Sequence, residues 1–238
     1  MSQLYGIQFD NYHTLRDWGL YIVNRQENKP PAPKIYTVDI PGGNGVIDVT
    51  ESVLGSVAYS NREITCELYV VGVNILNWAS LYSNIMAAIH GKKMRITFDD
   101  DPGYYYIGRV SVDAWKSGRR SATLTIKCDC EPFKYLINAY GSDWLWDPFD
   151  FEDGYINDDT HTITNTTQVD IEIMKMPVTP TFRSDKAMTV TYGGVTYSIA
   201  ANKDVTFYEL VLTEGTHSLT FKCSGTGTVK ISFNNGIL

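Results

Sequence analysis

Few residues in this sequence could carry chemistry, and their spacing argues against most of what they could do. Three consecutive acids, Asp99-Asp100-Asp101, could offer oxygen ligands to a hard cation. A Ca²⁺ loop, however, alternates its ligands and closes with a distant bidentate acid. Here Pro102-Gly103 follows at once, so the run reads as a turn. Cys128 and Cys130 are two apart on a predicted strand and share a face. No second Cys or His pair stands at ligand spacing. With Cys66 and Cys223 they read as buried free thiols of a reducing compartment. His13, His90, His161 and His217 are isolated in sequence, and no Gly-x-Ser-x-Gly elbow or His-Glu-x-x-His pair occurs. Gly225-Thr226-Gly227 opens no helix, so it reads as a hairpin turn and not as a phosphate cradle. The carboxylates sit in turns and in one boundary segment, without the facing pairs that hydrolyse glycosides. The expectation is a chain with no catalytic residues, no metal site and no cofactor: not an enzyme.

The elements available to position any site are mostly short strands. In Ser121–Cys130, Ala122, Leu124, Ile126 and Cys128 alternate with polar neighbours, the period of a half-buried antiparallel strand. A strand is expected over Tyr104–Trp115, after the acidic turn. The stretches Met188–Tyr192 and Val195–Ile199 flank Gly193-Gly194, the signal of a two-residue hairpin. Further strands are expected over Val205–Leu212, Ser218–Cys223 and Thr228–Phe233. One segment has the helical period instead: Ile75, Trp78, Ala79, Tyr82, Ile85, Met86 and Ile89 recur between Asn74 and His90. Asn74 stands at the N-cap and Gly91 at C′. The helix should bury Trp78, Tyr82, Ile85 and Ile89. Pro30, Pro31 and Pro33 mark Arg25–Lys34 as an extended exposed loop.

The charge of the 238-residue chain is unevenly placed. Residues 1–138 carry 14 Lys+Arg and 14 Asp+Glu, residues 160–238 carry 6 and 6, and residues 139–159 carry seven acids and no base. The whole net charge of −7 therefore falls in one stretch, and no basic stripe exists to grip nucleic acid. That stretch also holds Tyr140, Trp144, Trp146, Phe149, Phe151 and Tyr155. Rings this dense are a liability if exposed, so 139–159 reads as an acidic, aromatic-anchored connector between two β domains, 1–138 and 160–238. Trp144 and Trp146 are candidates for partner or glycan contact, which keeps open an alternative: a carbohydrate-binding β-sandwich module adhering to a bacterial surface. No apolar run approaches the roughly 18 residues of a membrane span, so no membrane insertion is expected. The first residues lack a basic n-region, so assembly in a cytoplasm is expected and the Asn165-Thr166-Thr167 sequon carries little meaning.

Five groups of residues, in order, resemble the distal tail protein (Dit) family of long-tailed, non-contractile bacteriophages. They are Ile40-Pro41-Gly42-Gly43-Asn44-Gly45-Val46-Ile47-Asp48, then Tyr59-Ser60-Asn61-Arg62, then Trp78 with Gly91-Lys92-Lys93 closing its helix. Phe98-Asp99-Asp100-Asp101-Pro102-Gly103-Tyr104-Tyr105-Tyr106-Ile107-Gly108 is the fourth and Glu131-Pro132-Phe133-Lys134-Tyr135 the fifth. Gly43 departs from the pattern, which more often has a basic residue there. The last strands, Gly225–Ile231 through Leu238, are similar in style to the family's galectin-like second domain.

The resemblance implies a mainly β protein of two β-sandwich domains, the first with one helix (74–90) and a long hairpin, the second galectin-like. It implies a structural virion component: a hexameric ring at the distal end of the tail tube. The ring would join the tube protein to the tail-associated hub and would carry receptor-binding components. DNA would pass through its channel without specific binding. Pro41, Gly42, Gly45, Asp48, Tyr59, Arg62, Trp78, Asp99, Pro102, Gly103, Tyr106, Pro132 and Tyr135 would be its structural and ring-forming residues. The Pro-rich loop and the 104–130 strand pair are the arms expected to reach a neighbour.

Overall fold

Alternating apolar and polar side chains set most of the chain into antiparallel strands. The computed structural model describes residues 4–23, 27–52, 55–71, 78–118, 121–137 and 160–238. They divide into two compact units, Met1–Lys134 and Tyr135–Leu238.

The first unit comprises β1 (Ile7–Phe9), β2 (Tyr12–His13), α1 (Thr14–Trp18), β3 (Tyr21–Ile22), β4 (Glu27–Asn28), β5 (Thr37–Asp39), β6 (Val46–Asp48), β7 (Arg62–Val71), α2 (Trp78–Ile89), β8 (Lys93–Phe98), β9 (Tyr104–Ser117) and β10 (Ser121–Cys130). A short β11 (Lys134–Leu136) crosses the division. The main sheet runs β2-β1-β8-β9-β10-β7-β3, and β4 also pairs with β7. Ile22 N–H donates to the Tyr5 carbonyl (2.9 Å), bringing the β3 end back beside the strand leading into β1. The sheet thus curls around its core.

The expected alternation in β10 is realised: Ala122, Leu124, Ile126, Cys128 and Cys130 are all buried. Its partner β9 adapts with a bulge. Thr125 faces Ala114 and Ile126 faces Val112, leaving Asp113 as the extra residue. This pair is embedded in the sheet, with Val110, Val112, Leu124 and Ile126 inside, so it is not the projecting arm the sequence suggested. The Pro-rich loop is not wholly exposed either, because Pro31 is buried.

The helix α2 closes the core. Trp78, Ile85, Ala88 and Ile89 are buried, and Leu81, Tyr82 and Met86 pack partly against them. The expected N-cap, Asn74, lies outside the described residues. At the other end Gly91 takes φ = 76°. Lys92 Nζ donates to the Ala87 and Ala88 carbonyls (2.8 and 2.7 Å), satisfying acceptors the last turn leaves open. The short helix α1 was not expected. Five residues are too few for a periodic signal, and its N-cap is a histidine: His13 Nδ1 accepts the Arg16 N–H (3.1 Å).

The second unit is built on one long ribbon. Its strands are β12 (Thr160–Ile173), β13 (Thr181–Ser184), β14 (Met188–Tyr192), β15 (Val195–Ile199), β16 (Asp204–Thr206), β17 (Gly215–Ser232) and β18 (Gly236–Ile237). One edge of β17 pairs with β12 along its length. The other edge pairs with β14 at Thr220–Cys223 and with β13 at Val229–Ser232. Where the register shifts, Asn165 (φ = 53°) and Gly225 (φ = 80°) adopt left-handed backbone, and the ribbon bends. Its two halves therefore serve two sheets, β14–β15 and β13–β16, around Phe182, Val190, Leu219, Phe221 and Ile231. The Gly193-Gly194 hairpin occurs as expected, both glycines with positive φ (57° and 82°).

Two strand expectations need correction. Ser218–Cys223 and Thr228–Phe233 are one strand, because the Gly225-Thr226-Gly227 signal makes a bend and not a reversal. Val205–Leu212 is extended only at its start. Leu210 N–H turns back to the Phe207 carbonyl (3.0 Å), and this buries Leu210 and Leu212.

Candidate functional site

The residues singled out in the sequence do not converge on one site; they form four local devices in the first unit. The first is a buried corner. Arg62, 5% exposed, lies with its guanidinium 5.5 Å from the Tyr106 ring centre and donates through Nη1 to Asn28 Oδ1 (3.4 Å). Asn28 Nδ2 in turn donates to the Tyr106 hydroxyl (3.0 Å). Arg62 Nε has no hydrogen-bond partner among the described residues. Asn28 carried no signal in the sequence, since it stands in an irregular stretch; only the fold joins it to two motif residues.

The second device is the acidic turn between β8 and β9. Asp99 Oδ2 accepts the Gly6 N–H (2.6 Å), and Asp99 Oδ1 pairs with His13 Nε2 (3.0 Å). Because His13 Nδ1 accepts the Arg16 N–H, Nε2 is the nitrogen that donates to Asp99. Asp101 accepts from Lys134 Nζ (2.7 Å), which also sits 4.0 Å from the Tyr104 ring centre. Pro102 and Gly103 are half-buried at this turn. The acids are thus used by backbone, histidine and lysine partners.

The third device is aromatic. Trp78 meets Trp115 edge-on (5.8 Å), Tyr82 lies 5.4 Å from the same ring, and Tyr59 meets Phe133 edge-on (5.9 Å). Pro132 and Tyr135 flank that contact, both half-buried. At Gly108 an added Cβ would come 2.5 Å from Cys130 Sγ and 2.9 Å from the Asp129 carbonyl, so the β9–β10 approach requires glycine there.

The fourth device stands apart from the main sheet. Strands β5 and β6 pair only with each other among the described residues, Val38 facing Ile47. Pro41, Gly42 and Gly45 form the tip, with φ = 74° at Gly42 and 86° at Gly45. At the base Asp48 Oδ1 accepts the Thr50 N–H (2.9 Å), and Thr50 Oγ1 accepts the Tyr36 N–H (3.0 Å). The Thr50 contacts hold the Asp48 carboxyl below its usual range. All residues from Ala32 to Val49 except the half-buried Val49 are exposed. Two short apolar runs around a glycine-rich turn were the available signal for this hairpin.

None of this is catalytic geometry. Burial pushes the Cys66 and Cys130 thiols up to about 12 and Cys128 well above its ordinary value, opposite to what a nucleophile needs. His217 is tied to the Tyr192 hydroxyl (2.7 Å) and the Thr213 carbonyl (2.6 Å), and His90 Nδ1 accepts the Val112 N–H. Among the described residues no group of three or more His, Cys, Asp or Glu could hold a metal ion. No described helix is long and apolar enough to cross a membrane. Trp144 and Trp146 lie outside the described residues.

Residues 10–130 match the family described as the phage tail protein RIFT-related domain. The chain belongs to that family. It is a structural protein of a phage tail, and the resemblance drawn from the motifs holds. The tail protein also has the fold of the SPP1 Dit (gp 19.1) protein, whose structure is titled a paradigm of the hub adsorption apparatus in phages infecting Gram-positive bacteria. The TM-score is 0.64 at 15% identity, over 99% of this chain and 100% of that one. No curated protein matches the chain.

Proposed function

We propose that six copies of this tail protein close into a ring at the distal end of the tail tube. The ring joins the tube protein to the tail-tip hub and to receptor-binding components, and DNA leaves through its channel. The single observation that carries this is the fold shared with a Dit protein over 99% of the chain, together with membership of the tail-protein family. Residues 1–138 make the ring, residues 160–238 carry attached components, and 139–159 connect them. The motif residues act by shaping the ring-forming unit: Arg62 and Tyr106 lock β7 to β9, Asp99 fastens the β8–β9 turn, and Pro41–Asp48 projects. Balanced charge in residues 1–138, with no basic stripe, leaves DNA no place to stall. Assembly takes place in the host cytoplasm.

Sedimentation velocity of the purified chain, with negative-stain microscopy of the same sample, tests the reading. The expected result is a species of six 26.8 kDa chains, seen end-on as a ring with a central opening. A chain that stays monomeric at tens of micromolar, alone and with its tube and hub proteins, would refute it.

A further inference from the structure

The hairpin β5–β6 has more apolar surface than an isolated two-stranded element can leave in water. Ile35, Tyr36, Val38, Ile40, Val46 and Ile47 are 65, 53, 51, 39, 54 and 53% exposed. Together they present on the order of 600 Å², the upper end of what a monomer's largest apolar patch reaches and approaching the roughly 800 Å² each partner contributes to a stable interface. Two strands with no third are marginally stable alone. Between Ile35 and Asn61 there are three acids, Asp39, Asp48 and Glu51, and no Lys or Arg. Phosphates and anionic lipid headgroups are therefore poor occupants, and the cover is an apolar protein surface.

The same unit carries a second apolar surface of matching kind. Leu4, Tyr5, Tyr12 and Val23 are 50, 38, 40 and 51% exposed. Tyr5 lies beside β3 through the Ile22 N–H bond, and Tyr12 stacks on Trp18 at 5.9 Å. An arm and a different receiving patch on one chain are what a head-to-tail contact between copies requires, and such contacts generate rings.

We propose that hairpin β5–β6 is an assembly arm whose apolar side chains seat on the Leu4–Tyr5–Tyr12–Val23 patch of a second copy of this chain. This assignment rests on the ring reading and says which surfaces make the contact. The arm variant is Val38→Thr/Ile47→Thr, which keeps β-branched residues at the facing pair while removing apolar surface. The patch variant is Leu4→Ser/Tyr12→Thr. Each alone should sediment as a folded monomer with unchanged melting at concentrations where the wild type is assembled. Mixed one to one, they should form a dimer and stop, because that pair has one good arm and one good patch, and each is used once.

An arm variant that assembles like the wild type would overturn the arm while leaving the ring intact. A mixture that stays monomeric would overturn the pairing of arm with patch. A wild type that never assembles refutes the ring reading and this proposal with it. If Val38→Thr/Ile47→Thr lowers the melting temperature, Ile40→Thr/Val46→Thr is read in its place.

Discussion

Replacing Trp78 by alanine tests the argument that α2 is held by its first turn. Trp78 is 3% exposed, meets Trp115 edge-on and belongs to the buried cluster with Ile85, Ile89, Val112 and Leu124. Trp→Ala truncation in a core costs about 3–5 kcal/mol, the lost transfer energy plus the cavity. One term works the other way: Trp78 Nε1 has no hydrogen-bond partner among the described residues. An indole N–H left unpaired in the interior costs about 1–3 kcal/mol, and alanine relieves it, so the net loss should lie near 3 kcal/mol. Trp78→Phe keeps most of the ring and removes the same donor, and should cost about 1 kcal/mol or less. Because the chain has two units, a single unfolding curve would mix them. Hydrogen exchange resolved by peptide reads β9 and β10 separately from β12 and β17. The reasoning is refuted if Trp78→Ala lowers the opening free energy of β9 and β10 by less than about 1 kcal/mol. It is equally refuted if β12 and β17 lose as much.

Asn28→Ala strands both the Arg62 guanidinium and the Tyr106 hydroxyl, and should cost about 1–3 kcal/mol; Tyr106→Phe, which leaves Asn28 free to serve Arg62, should cost clearly less in the same exchange experiment. Titration with a thiol reagent at pH 8 should modify Cys223 alone in the folded chain, since burial raises the other three thiols; fast reaction of a second thiol would contradict the packing. Asp17, held near 2 chiefly by the Arg16 side chain and then by the His13 N–H, should show that low midpoint by NMR and move up toward 3.8 in Arg16→Gln. Because its folded pKa is depressed, the α1 contact is fully present above the unfolded value and is lost as pH falls toward about 2.

What could be read in advance depended on whether a residue's neighbours along the chain decide its place. β10, the Gly193-Gly194 hairpin and the buried face of α2 follow from spacings of two, two and three to four, and each occurs where its pattern lies. The partnerships that define the candidate surfaces are between residues far apart: Asn28 with Tyr106, Gly6 with Asp99, Tyr59 with Phe133. No local period encodes these. Gly225 shows a subtler failure, because glycine with positive φ serves equally to reverse a strand or to bend one; only the partner strand, which shifts register at Asn165, decides. The hairpin β5–β6 was marked by its glycines as a turn, but its exposure follows from having no third strand, a property of the whole sheet.

The bent ribbon of the second unit has a consequence for the order of events in folding. β12, β13 and β14 all pair with β17, and β17 follows every one of them in the chain. Until residues 215–232 have left the ribosome, β14–β15 and β13–β16 are two separate pairs with nothing to align them, and β12 has no ladder at all. Pairing Thr160 with Lys230 closes a loop of about seventy residues, the kind of long-range contact that slows folding. The unit should therefore appear in one late, cooperative step. A nascent chain stalled before Gly215 would expose the fourteen residues of β12 as a bare edge to any neighbouring nascent chain. For a protein made in many copies at once, that interval is the point at which misassembly competes with the native fold.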